Sequence, residues 1–199
     1  MEAANLWKRS GKCLFVGEGN LSFSLSMVEK GCVDASSTTT SIFERFKDCK
    51  EEVIENAERL RDLGAQVLEA VDARYVASRF SGKRFQTVIF QFPNVASRDP
   101  KFGHNPNRLL LRKFLRSCRE LLLSSGGVMI TTVDSPHYEG AFQFEDSARE
   151  TGYDVIEKAR FFKKDFPGYC HQNTDDEDNS ALSNHRRYVT HVFAKRQVS

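Results

Sequence analysis

The sequence has no long hydrophobic run, no closely spaced cysteine pair and no strong excess of charge of either sign. A membrane-spanning helix needs about 20 consecutive apolar residues, and no stretch of this chain approaches that length. The N-terminal segment 1–12 is polar and lacks the apolar core of a signal peptide. These absences predict an intracellular protein with no membrane partner, nuclear or nucleolar in a eukaryote and cytoplasmic otherwise.

The five cysteines are widely spaced and odd in number, with no CxxC pair, which argues against a disulfide framework and against a zinc site. The chain also contains no P-loop and no HExxH sequence. The formal net charge of +2 is too mild to establish a nucleic-acid partner by itself. We therefore expect free thiols and no bound metal, and we expect a monomer.

Short apolar runs alternate with longer segments of helical period, which is typical of a parallel sheet with helices on both faces. The sequence contains five apolar runs of strand length in this alternation, followed by two further strand-length runs. This number fits the seven-stranded sheet of class I methyltransferases better than a six-stranded dinucleotide fold. The expected strands are 13–16, 38–43, 66–71, 87–90, 128–133, 153–158 and 188–194. The expected helices are 21–30, 48–63, 107–124 and 143–151.

The length of 199 residues is that of one domain. The sequence therefore predicts a single Rossmann-like α/β domain over 1–199. Within it we expect a flexible N-terminus over 1–11 and a long substrate-side loop over 161–187, because connections of that length are functional or disordered.

Gly17 and Gly19 form a GxG turn between the first strand and the first helix. Side chains hinder a sharp turn beneath a closely bound ligand, and the N–H groups at the helix start face that ligand. The third glycine of the dinucleotide fingerprint would fall at Ser22, which counts against a pyrophosphate. S-adenosylmethionine carries no phosphate, so the turn favours that cofactor. A plain strand-to-helix turn is the alternative.

Carboxylates follow the next two expected strands. Glu44 follows the second and can accept both hydroxyls of a ribose. Asp72 follows the third, where an adenine amino group would lie. Asn20 and Ser22 begin the first helix, where each fits either an N-cap or a contact to the methionine part of the cofactor. For both acids an ordinary loop role is the alternative.

Phe92, Pro93 and Asn94 follow the fourth expected strand, where sheet-based methyltransferases place residues beside the transferring methyl group. Proline fixes the backbone there, and Asn94 offers an amide to a base edge. The segment 165–173 combines a Pro-Gly turn with side chains able to stack on and hydrogen-bond a flipped base, namely Tyr169, His171 and Gln172. A simple turn and a surface loop are the alternatives.

Arginines recur at helical spacing along the expected helix 107–124, at Arg108, Arg112, Arg116 and Arg119. This stripe fits either phosphate contacts or a solvated helix face. Two basic pairs, Lys163-Lys164 and Arg186-Arg187, add positive charge around the long loop. The predicted substrate-binding residues are Tyr169, Gln172, Arg108 and Arg112.

The stretch 14–24, LFVGEGNLSFS, resembles the opening motif of the large-subunit rRNA uridine-N3 methyltransferase-like proteins. The same domain forms the N-terminal part of ferredoxin-fold anticodon-binding domain-containing proteins. Stretches 63–73, 90–94 and 166–169 also resemble motifs of this family. The resemblance implies an S-adenosylmethionine site and a uridine of RNA, rRNA or possibly tRNA, as the acceptor. Together with the strand ends, it predicts cofactor contacts from Gly17, Glu18, Gly19, Asn20, Ser22, Glu44, Asp72, Ala73, Phe92 and Pro93.

The chain departs from the family pattern near the expected acceptor site. The family histidine is Asn94 here, its glycine pair is Ala96-Ser97, and no lysine stands in 131–134. A uracil N3 carries a proton that must be removed before or during attack, and Asn94 cannot remove it. The candidates for that base are Asp134 and His171, and the predicted catalytic residues are Asn94, Asp134 and His171.

The sequence thus predicts an S-adenosylmethionine-dependent RNA methyltransferase that acts on the N3 atom of a uridine in ribosomal RNA. Because of these departures, a non-catalytic module of the same fold that binds S-adenosylmethionine or RNA is an alternative interpretation. A nicotinamide-dependent oxidoreductase is a third interpretation, which Ser22 disfavours.

Overall fold

A computed structural model describes residues 6–8, 11–95, 103, 105–170 and 187–196. Its strands are β1 Cys13–Val16, β2 Thr38–Ser41, β3 Gln66–Leu68, β4 Phe85–Gln91, β5 Leu122–Val133, β6 Tyr153–Phe161 and β7 Tyr188–Lys195. Its main helices are α1 Ser22–Glu29, α2 Glu51–Asp62, α3 Pro106–Leu121, α4 Pro136–Phe142 and α5 Phe144–Thr151. Short 3₁₀ segments cover Ala35–Ser37, Phe46–Asp48, Ala73–Arg79 and Lys163–Asp165.

The seven strands form one sheet in the order β3-β2-β1-β4-β5-β7-β6. Strands β1 to β5 are parallel, and β7 lies antiparallel between β5 and β6. This mixed α/β sheet confirms the predicted Rossmann-like, seven-stranded class I methyltransferase fold. The strand order reverses direction between β1 and β4, which creates a crevice at their carboxyl ends where ligands of such sheets bind.

Hydrophobic side chains fill both faces of the sheet. Leu14 of β1 packs with Val88 and Phe114 on one face, whereas Phe15 packs with Phe23 on the other. Because successive side chains of a strand point to opposite faces, a strand covered on both sides must be apolar throughout. That requirement explains why the central strands appear in the sequence as continuous apolar runs.

Local signals fix the ends of the longest helix. The Asn105 side chain accepts a hydrogen bond from the Asn107 backbone N–H at 2.9 Å, and Pro106 occupies the first helical position. Helix α3 ends at Leu121 and β5 begins at Leu122 without a loop between them. The expected helix 107–124 therefore extends three residues beyond the observed end of the helix. Strand β5 consequently starts before Gly127, where a Cβ atom would lie only 2.8 Å from the Phe193 carbonyl oxygen.

Helix α4 and the 3₁₀ segment Ala73–Arg79 are the longest of the elements that the sequence did not predict. Helix α4 begins after Ser135, whose hydroxyl accepts from the Tyr138 N–H at 3.5 Å, and Pro136 opens it. The 3₁₀ segment Ala73–Arg79 begins after Asp72, whose side chain accepts from the Arg74 N–H. Both elements are too short to show a helical period, so only their capping residues signal them in the sequence.

Some residues within the N-terminal segment and the expected long loop pack against the core. Within 1–11, expected to be flexible, Trp7 is buried and packs edge-on against Phe23 and Phe166, with ring centroids 5.5 and 5.6 Å apart. Within 161–187, expected to be a loop, Phe161 is the last residue of β6, and both Phe166 and Tyr169 are buried. Apolar burial holds these residues on the core, and 1–5, 9–10 and 171–186 lie outside the described residues.

In the described parts of the chain, every helix is too short or too polar to cross a membrane. The same residues contain no grouping of three or more His, Cys, Asp or Glu side chains that could bind a metal ion.

A buried histidine makes the stability of this fold depend on pH. The His191 ring stacks on Phe144 at 3.9 Å, and neither ring nitrogen has a hydrogen-bond partner in the described structure. Burial, followed by the charge of Lys158, lowers the pKa of His191 from 6.5 to about 3. The folded protein therefore binds this proton less readily than the unfolded chain, and stability falls as the pH drops below 6.5.

We expect His191→Phe to reduce this loss of stability in acid. Between pH 7.5 and 5.0 the histidine should account for about 2 kcal/mol of the fall in unfolding free energy, measured by urea denaturation. His137→Phe, at an exposed position, is the matched control and should retain the wild-type dependence. An unchanged dependence in His191→Phe would contradict this assignment.

Candidate active site

The turn after β1 places backbone rather than side chains at the crevice. Gly17 adopts a φ of +64°, and a Cβ atom on it would lie 2.8 Å from Cε2 of Phe90. The next residue, Glu18, donates its backbone N–H to the Ser41 carbonyl oxygen at 3.0 Å and thereby joins the exit of β1 to the end of β2. Gly19 is exposed, so the turn presents main-chain atoms to the crevice.

Asn20 holds the turn against α2. Its Oδ1 atom accepts from the Ser22 hydroxyl at 2.7 Å, and its Nδ2 donates to Oε1 of Glu52 at 3.2 Å. Its backbone oxygen accepts from the Asn56 side chain at 2.8 Å. The Asn20 side chain, predicted to contact the cofactor, is buried and engaged in holding the turn. Sequence reasoning missed Glu52 and Asn56, whose only signal is their position on the helix after the second strand.

Ser22 connects the turn to the closing loop. Its hydroxyl donates to the Cys170 carbonyl oxygen and accepts from the Cys170 N–H, each at 3.0 Å. We predicted that Ser22 contacts the cofactor, but its hydroxyl is buried and serves these contacts and Asn20. The loop end near Tyr169 is thereby fixed beside the candidate cofactor turn.

Glu18 is a buried carboxyl group within the turn. Its Oε2 atom accepts from the Ser24 hydroxyl at 2.6 Å and from the Ser24 N–H at 3.1 Å. Its Oε1 atom is buried and has no hydrogen-bond partner among the described residues. Burial raises the pKa of Glu18 from 4.5 to about 7, although both hydrogen bonds from Ser24 oppose the shift. The group is thus partly protonated near neutral pH.

The two strand-end carboxylates lie at the same edge of the sheet and differ in their surroundings. Glu44 is exposed beyond β2, which leaves it accessible to a ligand. Asp72 accepts a forked contact from the Arg74 guanidinium, with distances of 2.6 to 3.0 Å, which holds the pKa of Asp72 below its usual value. Ala73 follows and is buried. Asp72 is therefore oriented and kept ionised before any ligand arrives.

Phe43 is a further candidate that sequence reasoning missed. Its side chain is 60% exposed although it directly precedes Glu44 at the carboxyl edge. A large exposed aromatic ring beside a carboxylate suits the flat face of a nucleobase. Its signal in the sequence was an aromatic residue immediately before the acid that follows the second strand. The expected strand 38–43 instead included Phe43 as its last residue.

The exit of β4 bends sharply. Phe92 adopts a left-handed φ of +48° and donates its N–H to the Thr131 carbonyl oxygen at 2.9 Å. Pro93 is buried and Asn94 is exposed. Asp134, on the neighbouring strand exit, is also exposed. Because Gln91 pairs with Thr131, Asn94 and Asp134 each follow that pair by three residues, which brings both to the same side of the crevice.

Backbone strain concentrates at this edge. Among the described residues, the non-glycine residues with positive φ include Leu21, Ala70 and Phe92, which follow β1, β3 and β4. Such conformations cost about 1 to 3 kcal/mol each and persist where the surrounding structure enforces them, often at ligand sites.

The predicted substrate residues do not form a single surface. The Tyr169 ring is only 8% exposed and packs edge-on against Phe23, with centroids 5.2 Å apart, so it is not available to stack a base. Arg108 and Arg112 both contact Glu150 of α5, at 3.0 and 2.8 Å. Their side chains are 14% and 20% exposed because they join α3 to α5. His171 and Gln172 lie outside the described residues.

The residues present fit S-adenosylmethionine. The glycine turn leaves a cradle that a Cβ atom would fill, Glu18 holds an unpartnered buried oxygen beside it, and Glu44 and Phe43 are exposed at the next strand end. This arrangement offers main-chain atoms to a methionine moiety and carboxylates with an aromatic ring to a nucleoside. It requires no phosphate-binding glycine at position 22.

Sheet order and crevice together define a class I methyltransferase fold. The chain belongs to the BMT5-like family, described as rRNA (uridine-N3-)-methyltransferase BTM5-like, which it matches over residues 14–173. The matched range contains the glycine turn, both strand-end carboxylates and the exits of β4 and β5. The family predicted from the sequence motifs is therefore confirmed.

Two relatives and one solved structure illustrate the family and the fold. The ferredoxin-fold anticodon-binding domain-containing protein 1 homolog of Mus musculus is 30% identical over 171 residues, 79% of this chain and 27% of its own length. An uncharacterized protein of Arabidopsis thaliana is 26% identical over 194 residues, 85% of this chain and 87% of its own. The glycopeptide N-methyltransferase MtfA, solved with sinefungin, superposes with a TM-score of 0.61 at 13% identity, covering 98% of this chain and 85% of MtfA.

We expect Gly17→Ala to be far more damaging than Gly31→Ala. Both glycines have nearly the same φ, +64° and +65°, but a Cβ atom on Gly31 would meet nothing within 4 Å. Gly31→Ala should cost about 1 to 2 kcal/mol of unfolding free energy from backbone strain alone. Gly17→Ala should cost about 1 to 3 kcal/mol more because of the contact with Phe90.

Chemical denaturation of the two variants measures this difference. Adding Phe90→Leu to Gly17→Ala should recover part of the extra loss by removing the clashing ring edge. Equal losses for the two alanine variants would show that Phe90 does not constrain the turn.

We expect Glu18→Gln to change how stability depends on pH. The folded protein holds the Glu18 proton more tightly than the unfolded chain, so wild-type stability falls as the pH rises from about 4.5 to about 7. The variant, which cannot ionise, should lack this fall, which amounts to about 3 kcal/mol at most. Urea unfolding at pH 5 and pH 8 measures it.

Glu58→Gln on the exposed face of α2 is the matched control. It should retain the wild-type pH dependence, because Glu58 is not buried. The assignment fails if Glu18→Gln and wild type lose the same stability between the two pH values.

Proposed function

We propose that this chain is an S-adenosylmethionine-dependent RNA methyltransferase that methylates the N3 atom of a uridine in ribosomal RNA. The observation that carries the proposal is the glycine turn after β1 with carboxylates at the ends of the two adjacent strands β2 and β3, within a chain that belongs to an rRNA (uridine-N3-)-methyltransferase family. MtfA, which shares the fold, has also been solved with S-adenosyl-L-homocysteine. The chain spans 27% of the mouse relative, so the activity of that whole protein is not transferred to it.

In the proposed complex, the main chain of Gly17 and Gly19 binds the methionine part. Glu44 accepts the ribose hydroxyls, and the Asp72–Ala73 corner binds the adenine edge while Phe43 covers its face. Arg74 keeps Asp72 ionised and oriented, so the carboxylate remains an acceptor for an amino group. The cofactor, when bound, supplies an electrophilic methyl group.

The acceptor base would lie between the exits of β4 and β5. Pro93 and the left-handed Phe92 hold the backbone there, and the Asn94 amide orients the base edge by hydrogen bonds. The N3 proton of uracil must leave before or during attack. We assign its removal to the exposed carboxylate of Asp134, since an amide cannot accept a proton at neutral pH. The protein otherwise contributes alignment.

The test is methyl transfer from labelled S-adenosylmethionine to ribosomal RNA, followed by nucleoside analysis for 3-methyluridine. Binding of S-adenosylhomocysteine is measured in parallel by calorimetry. Asp134→Asn should reduce transfer at least tenfold, with cofactor affinity unchanged. Glu44→Gln should weaken cofactor binding about tenfold, whereas Glu55→Gln, an exposed carboxylate on α2, should do neither.

The outcomes separate the competing functions. Cofactor binding without transfer to any RNA would contradict the enzyme and support a non-catalytic binding module, which the Asn94 substitution also favours. Thermal stabilisation by NAD rather than by S-adenosylhomocysteine would overturn the cofactor assignment and support an oxidoreductase. Methyl transfer to a nucleoside other than uridine would support the methyltransferase activity and contradict uridine as the acceptor.

A further inference from the structure

A basic cluster with an exposed aromatic ring stands at the end of β6. We name it the β6 rim and define it as Arg160, Phe162, Lys163, Lys164 and Arg187. The four basic side chains are exposed and the Phe162 side chain is 37% exposed. In the described part of the chain, none of the four cations forms an ion pair with a carboxylate.

Two cations flank the exposed ring. The Arg160 guanidinium lies 5.5 Å from the centroid of Phe162, and the Lys164 ammonium lies 5.6 Å from it. Lys163 lies 5.9 Å from the centroid of the neighbouring Tyr169 ring. Aromatic rings that stack bases beside cations that contact phosphates are the features by which proteins bind single-stranded nucleic acid.

The β6 rim is continuous with the proposed acceptor site. Phe161 pairs with Tyr188 across β6 and β7, which brings Phe162 next to Arg187. The Arg187 carbonyl oxygen in turn accepts from the Asp134 N–H at 3.1 Å. A strand of RNA lying on the rim therefore reaches the exits of β4 and β5 without crossing the sheet.

The β6 rim is also firmly attached to the core. Directly after it, Phe166 stacks on Phe161 with centroids 5.3 Å apart, and Lys30, which directly follows α1, donates to the Asp165 carbonyl oxygen. Asp165, half-buried, follows Lys164 in the sequence, Asp134 contacts Arg187 through its backbone N–H, and Glu157 precedes the rim on β6, so the acidic groups adjoining the four cations are fewer than the cations. Positive charge therefore predominates on this surface and complements a polyanion.

We propose that the β6 rim binds single-stranded RNA next to the methylated nucleotide, with Phe162 stacking on a base and Lys163, Lys164 and Arg187 contacting phosphates. This inference rests on the proposed function. It places the RNA contacts on a surface other than that of Arg108 and Arg112, which both contact Glu150.

One other exposed ring offers a stringent comparison. Tyr75 is 55% exposed and lies 5.7 Å from the Arg74 guanidinium and 5.9 Å from the Lys113 ammonium. Arg74, however, forms an ion pair with Asp72. Tyr75 therefore lies on the side of the proposed cofactor residues and not on the side of the proposed acceptor site. Tyr75→Ala therefore removes a more exposed ring that lies near two cations, without touching the rim.

The experiment measures the binding of a fluorescein-labelled ten-nucleotide oligouridylate to the full chain by anisotropy. Phe162→Ala should weaken binding about tenfold, whereas Phe162→Trp should restore it, because base stacking contributes about 1 to 3 kcal/mol. Tyr75→Ala should leave it unchanged. Replacing Lys163 and Lys164 by Gln should reduce the salt slope by about 1.4, from two lost phosphate contacts.

Competition and transfer assays distinguish the possible failures. Polyglutamate that competes as well as RNA would show a site for acidic peptides and overturn the proposal. So would a larger loss with Tyr75→Ala than with Phe162→Ala, or a wild-type chain that does not bind the oligouridylate. If the wild-type chain methylates ribosomal RNA while the rim variants bind RNA with full affinity, the RNA-binding role of the β6 rim is wrong and the proposed function is not contradicted. If wild type neither binds RNA nor transfers methyl groups, the proposed function fails with it.

Discussion

The close approach of Gly17 to the Phe90 ring is the constraint on which the rest of the site depends. The ring edge occupies the space of a Cβ atom, and the backbone turns there with a left-handed φ, so glycine is favoured at this position for both reasons. That turn directs the Glu18 N–H to Ser41 and sets the register between the exits of β1 and β2. It also starts α1, and through α1 it determines where the closing loop can attach.

Around that constraint, the polar groups divide into those that build the site and those that remain accessible. Asn20, Ser22 and the Oε2 atom of Glu18 are consumed by hydrogen bonds within the protein. Glu44 and Asp134 remain exposed at strand ends. The inner groups fix the geometry of the turn and the outer groups are accessible to a ligand, so a residue of the motif can have a purely structural role.

The sequence predicted the fold well because buried parallel strands and amphipathic helices leave a strong periodic signal. It failed at α4, which is too short for a period, and at Leu122, where a helix passes directly into a strand. The candidate cofactor residues could be predicted because they follow strand ends. The contacts of Arg108 and Arg112 with Glu150 could not, because Glu150 lies 42 and 38 residues away in the sequence. The exposure of Phe162 could not be predicted either, because it depends on tertiary packing.

The position at which this chain departs from the dinucleotide fingerprint now has a structural purpose. A glycine in place of Ser22 would restore the phosphate-binding pattern but would remove the hydroxyl that fastens Cys170, 148 residues further along. The Ser22 hydroxyl therefore ties the start of α1 to the end of the closing segment, and a glycine at this position would release that tie.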